Sequence, residues 1–455
     1  MKNKGYLDIE YLANSYNETN IPLYLSYPVE SWWSSFATDE MLIEKYKNIV
    51  SPFLYFHFPY CPKVCYYCVC YKDIASDSSS NDVYIDYLVR EFNNKLACFG
   101  SSGFKGINHM HWGGGTPTFL TCRQFDRLYN SILKKIDFCL DEKSSISIEA
   151  YPDEINLTKE KLRLIRDMGF NEISLGIQDI DERIQKVINR DCKAEFIGKT
   201  IELCKEQGFK LHIDLCYGLP FQGINELIRT LEFIITYDPD RIAIFPYAHY
   251  PLGFPMQKFI PYASLPNSFI KVLLLKTAEE ILEASGYKKV GTDHFVMENN
   301  ALYKAAVEGK ITRDFMGYSV ERRKNILGFG RSAISFLGDQ FFQNSLLSKD
   351  YYQCIEKNVF PLERNKSHIF SEDDAIRNRV IQKYILSDFV IDKSKINDEF
   401  NIDFDNYFAS ELRCLAQYSK DGLISSTAQD TIQVTSVGKY FARHIAYAFD
   451  KYYYQ

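Results

Sequence analysis

The chain has 455 residues, 46% of them hydrophobic and 25% charged, with 53 lysines and arginines against 59 aspartates and glutamates for a net charge of −6. That balance excludes a disordered or collagen-like chain, and the length accommodates a barrel-sized core of roughly 250 residues beside a smaller unit. No apolar run reaches the roughly 18 residues of a membrane-spanning helix, the opening MKNKGYLDIEY has no apolar stretch after its lysines, and no basic block marks nucleic-acid binding, so a cytoplasmic protein acting without membrane or nucleic acid is expected.

An aromatic arm (Tyr24, Tyr27, Pro28, Trp32, Trp33) leads to FLYFHF over Phe53–Phe58, which alternates with period two and stops at Pro59, the pattern of a strand entering a loop. Strand-like runs then follow at INHMHW from Ile107, SISIEA from Ser145, EISLGI from Glu172, LHIDLCY from Leu211 and RIAIFPY from Arg241, separated by stretches of helical period. The tract SDSSSND from Ser76 reads as a surface loop. Alternation of strand and helix implies a parallel sheet, and six strands, with a seventh candidate at KKVGTD from Lys288, favour a partial α/β barrel with function at the strands' C-terminal ends. Beyond about Gly338 the pattern predicts helices, best at Asp373 to Leu386 and Tyr407 to Tyr418, then a hairpin over LISSTAQDTIQVT and a last helix from about Ser436. That order fits a winged-helix-like module. Asp421 and Asp430 beside the wing, with no basic stripe, favour a cover or docking role over DNA binding. Three regions result: an N-terminal arm over 1–50 covering the active site, a barrel over 51–337 and a helical domain over 338–455.

Eight of the 12 cysteines are scattered singly, but Cys61, Cys65, Cys68 and Cys70 crowd one loop directly after the first strand. Thiolates at this density in a reducing compartment point to metal. Zinc would want four ligands, usually from paired knuckles, and no second CxxC occurs. An iron-sulfur cube held by three cysteines leaves one iron open to a small chelating molecule.

The run YFHFPYCPKVCYYCVC carries the CxxxCxxC signature, with an aromatic before the third cysteine, and in this it resembles radical S-adenosylmethionine (SAM) enzymes. The resemblance implies a radical SAM barrel of partial (β/α)6 type, a 4Fe-4S cluster on Cys61, Cys65 and Cys68, and reductive cleavage of SAM to a 5′-deoxyadenosyl radical. It also makes Gly113-Gly114-Gly115-Thr116-Pro117 the segment that receives the SAM amino group, where absent side chains let the backbone approach a ligand. Glu149, Gln178, Arg190 and Asp214 follow at or near the strand ends. Arg190 suits a fork onto the methionine carboxylate, and Glu149 and Asp214 suit ribose or amino groups.

Further motifs, YLSYP, HWGGGTPTFL, SIEAYPDEI, DLCYGLP, PYAH, GTDHF, GFGRSAIS and RHIAYAFDKY, make nearly the whole chain similar to the oxygen-independent coproporphyrinogen III oxidase family. That resemblance implies a second SAM beside the first, with Tyr55, Gly114, Gly115, Thr116, Glu149, Gln178, Arg190, Asp214, Ala248 and Ile334 lining the two sites. Tyr55 and Cys70 are carried over as catalytic, Cys70 without ligating the cluster. The implied reaction converts two propionates of a tetrapyrrole to vinyl groups, with flavodoxin or ferredoxin as electron donor and the chain acting as a monomer. Leu23 stands where the family has arginine, Met316 where it has glutamine, Val69 for glycine, Pro246 for asparagine and Arg331 for a small apolar residue. A partner for Arg331 is expected, since an unpaired buried cation is costly. These departures keep two alternatives open, a radical SAM methyltransferase or cyclopropanase on the same scaffold and a non-catalytic heme carrier. For the carrier, His57, His111, His249 and His294 are candidate ligands, though each fits equally as a hydrogen-bonded core histidine.

Overall fold

The computed structural model describes residues 4–16, 21–75, 77, 79–99, 103–153, 155–428 and 430–453. Alternation along the strands sorts side chains onto two faces of different chemistry. In β1 (Phe53–Phe58) the residues Leu54, Phe56 and Phe58 are buried, as are Met110 and Trp112 of β2 (His109–Gly114) and Ile146 and Ile148 of β3 (Ser145–Ala150). The same holds for Ile173, Leu175 and Ile177 of β4 (Glu172–Gln178) and Leu211, Ile213 and Leu215 of β5 (Lys210–Tyr217). These residues share one core with apolar stripes of the crossover helices, Leu88 and Phe92 of α1 (Ser79–Cys98), Phe125 and Leu128 of α2 (Cys122–Ser131) and Leu162 and Ile165 of α3 (Lys159–Asp167) among them. Each such side chain contributes about 1.5–3 kcal/mol by leaving water. The intervening positions, Tyr55, His57, His111, Ser147, Glu149, Ser174, His212 and Asp214, line a cavity on the other face.

The helices begin where the sequence supplies caps. Thr121 and Gln124 form a reciprocal capping box at α2, and Thr158 accepts the Lys161 N–H at the start of α3.

After β6 (Arg241–Pro246) the sheet gains β7 (Tyr287–Val290), β8 (His294–Met297), β9 (Asn325–Phe329), β10 (Ile334–Leu337), β11 (Gln340–Asn344) and β12 (Leu362–Ile369). Its 12 strands run in the order β7-β8-β6-β5-β4-β3-β2-β1-β9-β10-β11-β12. The strands β1 to β6 neighbour one another in chain order, each pair parallel, which is the partial barrel expected. Two details differ from expectation. The KKVGTD segment is not a seventh parallel strand: β7 pairs antiparallel with β8, and β8 antiparallel with β6, because only a three-residue turn joins β7 to β8. The seventh parallel strand is β9, beside β1. INHMHW also begins late, since Ile107 belongs to a separate pair, Phe104–Ile107 with Ile136–Phe138.

The helical region expected from 338 starts later too, because β11 and β12 continue the sheet to Ile369. Glu372–Asn378 then runs into a wider helical stretch, Arg379–Asp388. Val390–Asp392, Thr431–Val434 and Ile424–Ala428 form a three-stranded sheet beside the helices Lys393–Phe400 and Ala409–Lys420, a winged-helix-like arrangement. The N-terminal arm bridges the two parts. Leu12, Ala13, Tyr24 and Tyr27 enter the C-terminal core, and the Trp33 ring stacks on Phe341 of β11 at 4.6 Å. Of the SDSSSND tract, Ser76 and Ser78 lie outside the described residues, and from Ser79 the chain is already α1 rather than loop.

Candidate active site

Pro59 ends β1, and the next two residues, Tyr60–Cys61, pair in parallel with Asp73–Ile74, so residues 62–72 form a loop pinched at its base. The Asp73 N–H donates to Pro59 O at 2.7 Å and the Ala75 N–H to Cys61 O at 3.1 Å. Barrel residues hold the loop along its length. The Tyr66 N–H donates to Ile188 O at 2.9 Å, the Asn189 amide to Val64 O at 2.7 Å, and Arg190 NH1 to Cys65 Sγ at 3.3 Å and to the Tyr67 hydroxyl at 3.1 Å. Its NH2 donates to Gly176 O, and the guanidinium lies over the Tyr151 ring. His57 Nε2 meets Tyr71 O at 2.9 Å, and a carbonyl only accepts, so Nε2 carries the proton and Nδ1 accepts from the Tyr55 hydroxyl at 2.8 Å. Burial pushes the His57 imidazole down to about 4, which keeps it neutral in this role.

All 12 cysteines are free thiols. Burial pushes Cys61 up to about 11, against a hydrogen bond from Thr116 at 3.4 Å. The hydrogen bond between Cys68 and Cys70 lowers the Cys68 thiol and raises that of Cys70. Among the described residues no three His, Cys, Asp or Glu side chains converge as a single metal ion would require. A 4Fe-4S cube distributes its ligands over separate irons, and three thiols on one loop fit that donor chemistry. Arg190 Nε, buried beside Cys65 without a protein partner, is a donor left over for a ligand.

The glycine segment is shaped by what surrounds it. Gly114 has φ +106°, and a Cβ there would stand 2.5 Å from the His57 ring; at Gly115 it would stand 2.8 Å from Phe58 O and Tyr60 O. The N–H groups are used internally: Gly114 donates to Glu149 Oε2 at 3.1 Å, Gly115 to Phe58 O at 2.7 Å and Thr116 to Tyr60 O at 3.0 Å. The N–H groups of Gly114, Gly115 and Thr116 are therefore already engaged and are not offered to a ligand. Glu149 also accepts from His111 Nε2 at 3.1 Å. Burial opposes its charge, yet His111 and the Gly114 N–H hold the carboxyl below the usual range.

Tyr55, Gly114, Glu149, Gln178, Asp214, Ala248 and Ile334 line one cavity of about 2630 Å³, together with Cys68 and Cys70. Gln178 enters it from a β-bulge, with φ +70°. Burial pushes Asp214 up to about 6, and Ser174 donates to it at 2.7 Å. Gly115, Thr116 and Arg190 sit behind the lining, where they support the loop. Arg190 does not present the free fork expected for a carboxylate, because NH1 and NH2 are spent on Cys65, Tyr67 and Gly176. Leu23, Met316, Val69 and Pro246 line the cavity, whereas Arg331 does not and has found a partner in Asp73. His57 and His111 have both ring nitrogens engaged, which leaves neither a lone pair for heme iron. His249 meets the Tyr247 hydroxyl and His294 the Asp293 carboxylate.

Sequence reasoning passed over Tyr67, which receives Arg190, and an inner layer of Glu172, Asp293 and Arg313 with His212, which burial keeps neutral. The period-two rule would have found His212, two residues before Asp214 and on the same face.

The family profile described as the Radical SAM superfamily matches residues 55–234. The oxygen-independent coproporphyrinogen III oxidase of Escherichia coli (strain K12) is 35% identical over 444 residues, covering 97% of this chain and 94% of that one. The protein of the same name from Synechocystis is 34% identical over 452 residues, with coverage of 97% and 94%. The solved structure of the Escherichia coli coproporphyrinogen III oxidase, described as a radical SAM enzyme, superposes with a TM-score of 0.86 and covers 94% of this chain and 97% of that chain.

Proposed function

The chain belongs to the family of oxygen-independent coproporphyrinogen III oxidases, within the radical SAM superfamily, and from that membership we propose that it converts two propionates of coproporphyrinogen III to vinyl groups. Each conversion passes one hydrogen atom of a propionate side chain to a carbon-centred radical and one electron to a one-electron acceptor, and releases the carboxylate as carbon dioxide, leaving a carbon–carbon double bond. The 4Fe-4S cluster and SAM, when bound, supply a one-electron reduction and a carbon-centred abstractor of hydrogen. The chain's own residues hold, orient and enclose.

Cys61, Cys65 and Cys68 would ligate the cluster, with Arg190 fixing Cys65 and Cys70 hydrogen-bonded to Cys68. Glu149 and Gly114 would receive an ammonium, Asp214 and Gln178 hydroxyl groups, and Tyr55, Ala248 and Ile334 the flat and apolar parts of SAM and substrate, with a second SAM in the same cavity. The observation that carries the reading is the lining of one 2630 Å³ cavity by Cys68, Glu149, Asp214, Leu23 and Met316, which places cluster loop, barrel and N-terminal arm around a common space. That volume exceeds the roughly 300–1,000 Å³ of ordinary small-ligand pockets, in keeping with a tetrapyrrole beside SAM. Residues from several elements around this space would hold the reacting carbon in place. An electron-transfer protein such as flavodoxin or ferredoxin would supply the reducing electron to a monomer. Twelve free thiols accord with the reducing cytoplasm.

The test is product mass. Reduced, anaerobically reconstituted protein with SAM and coproporphyrinogen III should yield a product lacking two carboxyl groups. A product that gains methyl or methylene mass, or tight heme binding with no turnover, overturns the proposal.

A further inference from the structure

We propose that Arg331 is a positioning residue for the cluster loop, acting on the loop's exit strand through an ion pair with Asp73; this rests on the radical SAM reading of that loop. Arg331 follows β9 at the barrel rim, where the resembled family has a small apolar residue, and it is only 5% exposed. Its NH1 lies 3.1 Å from Asp73 Oδ2 and donates to Leu346 O at 3.0 Å. The Ser348 hydroxyl donates to the same Asp73 oxygen at 3.2 Å.

Asp73 sits opposite Tyr60 in the short parallel pair whose other strand carries Cys61. Its N–H closes the loop onto Pro59 O at 2.7 Å, and two residues later the Ala75 N–H donates to Cys61 O at 3.1 Å. Fixing Asp73 therefore fixes the strand against which the first cluster cysteine is hydrogen-bonded. Arg331 also reaches the loop's entry. Its backbone N–H donates to the Tyr84 hydroxyl at 3.2 Å, that hydroxyl donates to His57 O at 2.5 Å, and His57 Nε2 holds Tyr71 O at 2.9 Å. One residue at the rim thus grips both limbs of the loop, the entry through Tyr84 and the exit through Asp73.

The two ends of the pair stand in different surroundings. The Arg331 side chain is 6% exposed against 44% for Asp73, and Arg331 Nε and NH2 are buried without protein partners. A guanidinium so enclosed is an uncompensated charge without Asp73, whereas Asp73 without Arg331 can turn to water. Loss of Arg331 should accordingly leave the fold in place and free the loop. It also removes a fixed positive charge paired to the loop's exit strand, which disfavours reduction of an anionic cluster held on that loop and moves the midpoint potential negative.

The test compares wild type, Arg331→Met, Arg331→Lys and Asp73→Asn after anaerobic reconstitution. Iron and sulfide per chain, bleaching by an iron chelator and midpoint potential are read without turnover. Arg331→Met is expected to bleach about 10–100-fold faster than wild type, the usual effect of losing a group that orients a metal ligand, with a more negative potential. Arg331→Lys should recover most of the retention, since it keeps the ion pair. Bleaching of the methionine variant at the wild-type rate with unchanged potential overturns the proposal, as does a lysine variant no better than methionine. If Arg331→Met fails to fold, Asp73→Asn carries the test: faster bleaching supports the proposal and a wild-type rate overturns it. Failure of the radical SAM reading is separately visible, because the wild-type protein would then take up no cluster.

Discussion

Arg190 donates to the sulfur of Cys65 across 3.3 Å, joining a barrel residue to a loop thiol 125 positions earlier in the chain. The same nitrogen serves the Tyr67 hydroxyl, and the second terminal nitrogen serves Gly176 O. A lysine ammonium cannot span three acceptors in a plane. Arg190→Lys is therefore expected to lower cluster affinity by about 10–100-fold, read as iron retained after chelator challenge, while the circular dichroism of the apoprotein stays unchanged.

The four loop cysteines should divide three to one. Replacing Cys61, Cys65 and Cys68 together with alanine is expected to abolish cluster absorbance and SAM cleavage. Cys70→Ala should retain the absorbance, since the three remaining loop thiols supply the cluster's ligands. Loss of the cluster in Cys70→Ala would make Cys70 a ligand.

Stability should carry a signature of the buried carboxyls. Burial raises Asp214 from 3.8 to about 6, so the folded state holds its proton more tightly than the unfolded chain does. Ionisation then opposes folding: the penalty is absent below about pH 4, grows between about pH 4 and 6, and is full above that window. Asp179, with no exposed surface, is raised to about 6 by burial and adds a penalty of the same sign. Asp214→Asn keeps an acceptor for Ser174, and apoprotein melts should find it more stable than wild type near neutral pH, by on the order of 1–3 kcal/mol, with the difference fading toward pH 4.

Leu23 and Met316 face the cavity, and the resemblance read from the sequence implies polar groups at these two positions. Restoring them as Leu23→Arg and Met316→Gln adds donors that a propionate can accept from. A charge-assisted hydrogen bond is worth about 1.5–3 kcal/mol, so the double variant should lower KM for coproporphyrinogen III by about tenfold or more with little change in kcat. An unchanged or raised KM would mean that these positions do not meet the substrate.

Much of this site was legible because strand alternation separates chemistry by face. SISIEA and LHIDL declare Ile146, Ile148 and Leu211 for the helix layer and Ser147, Glu149 and Asp214 for the cavity, and the structure keeps that division. The cysteine spacing and the glycine run are local signals of the same kind. Arg190 was found but its partner was not, because Cys65 lies far off in sequence and no periodicity links them. The sheet's extension through β11 and β12 escaped notice for another reason: LERNKSHI is rich in charge and reads as loop until β11 pairs with it. Arg331 was visible as a misfit, while nothing in the sequence singled out Asp73 as its partner.

The hydrogen bonds that shape the cysteine loop, from His57 to Tyr71, Asn189 to Val64 and Tyr66 to Ile188, are all made by protein atoms alone. The loop is thereby tethered near its start at Val64, in its middle at Tyr66 and near its end at Tyr71, so loosening one tether leaves two to limit how far the sulfurs between them can stray.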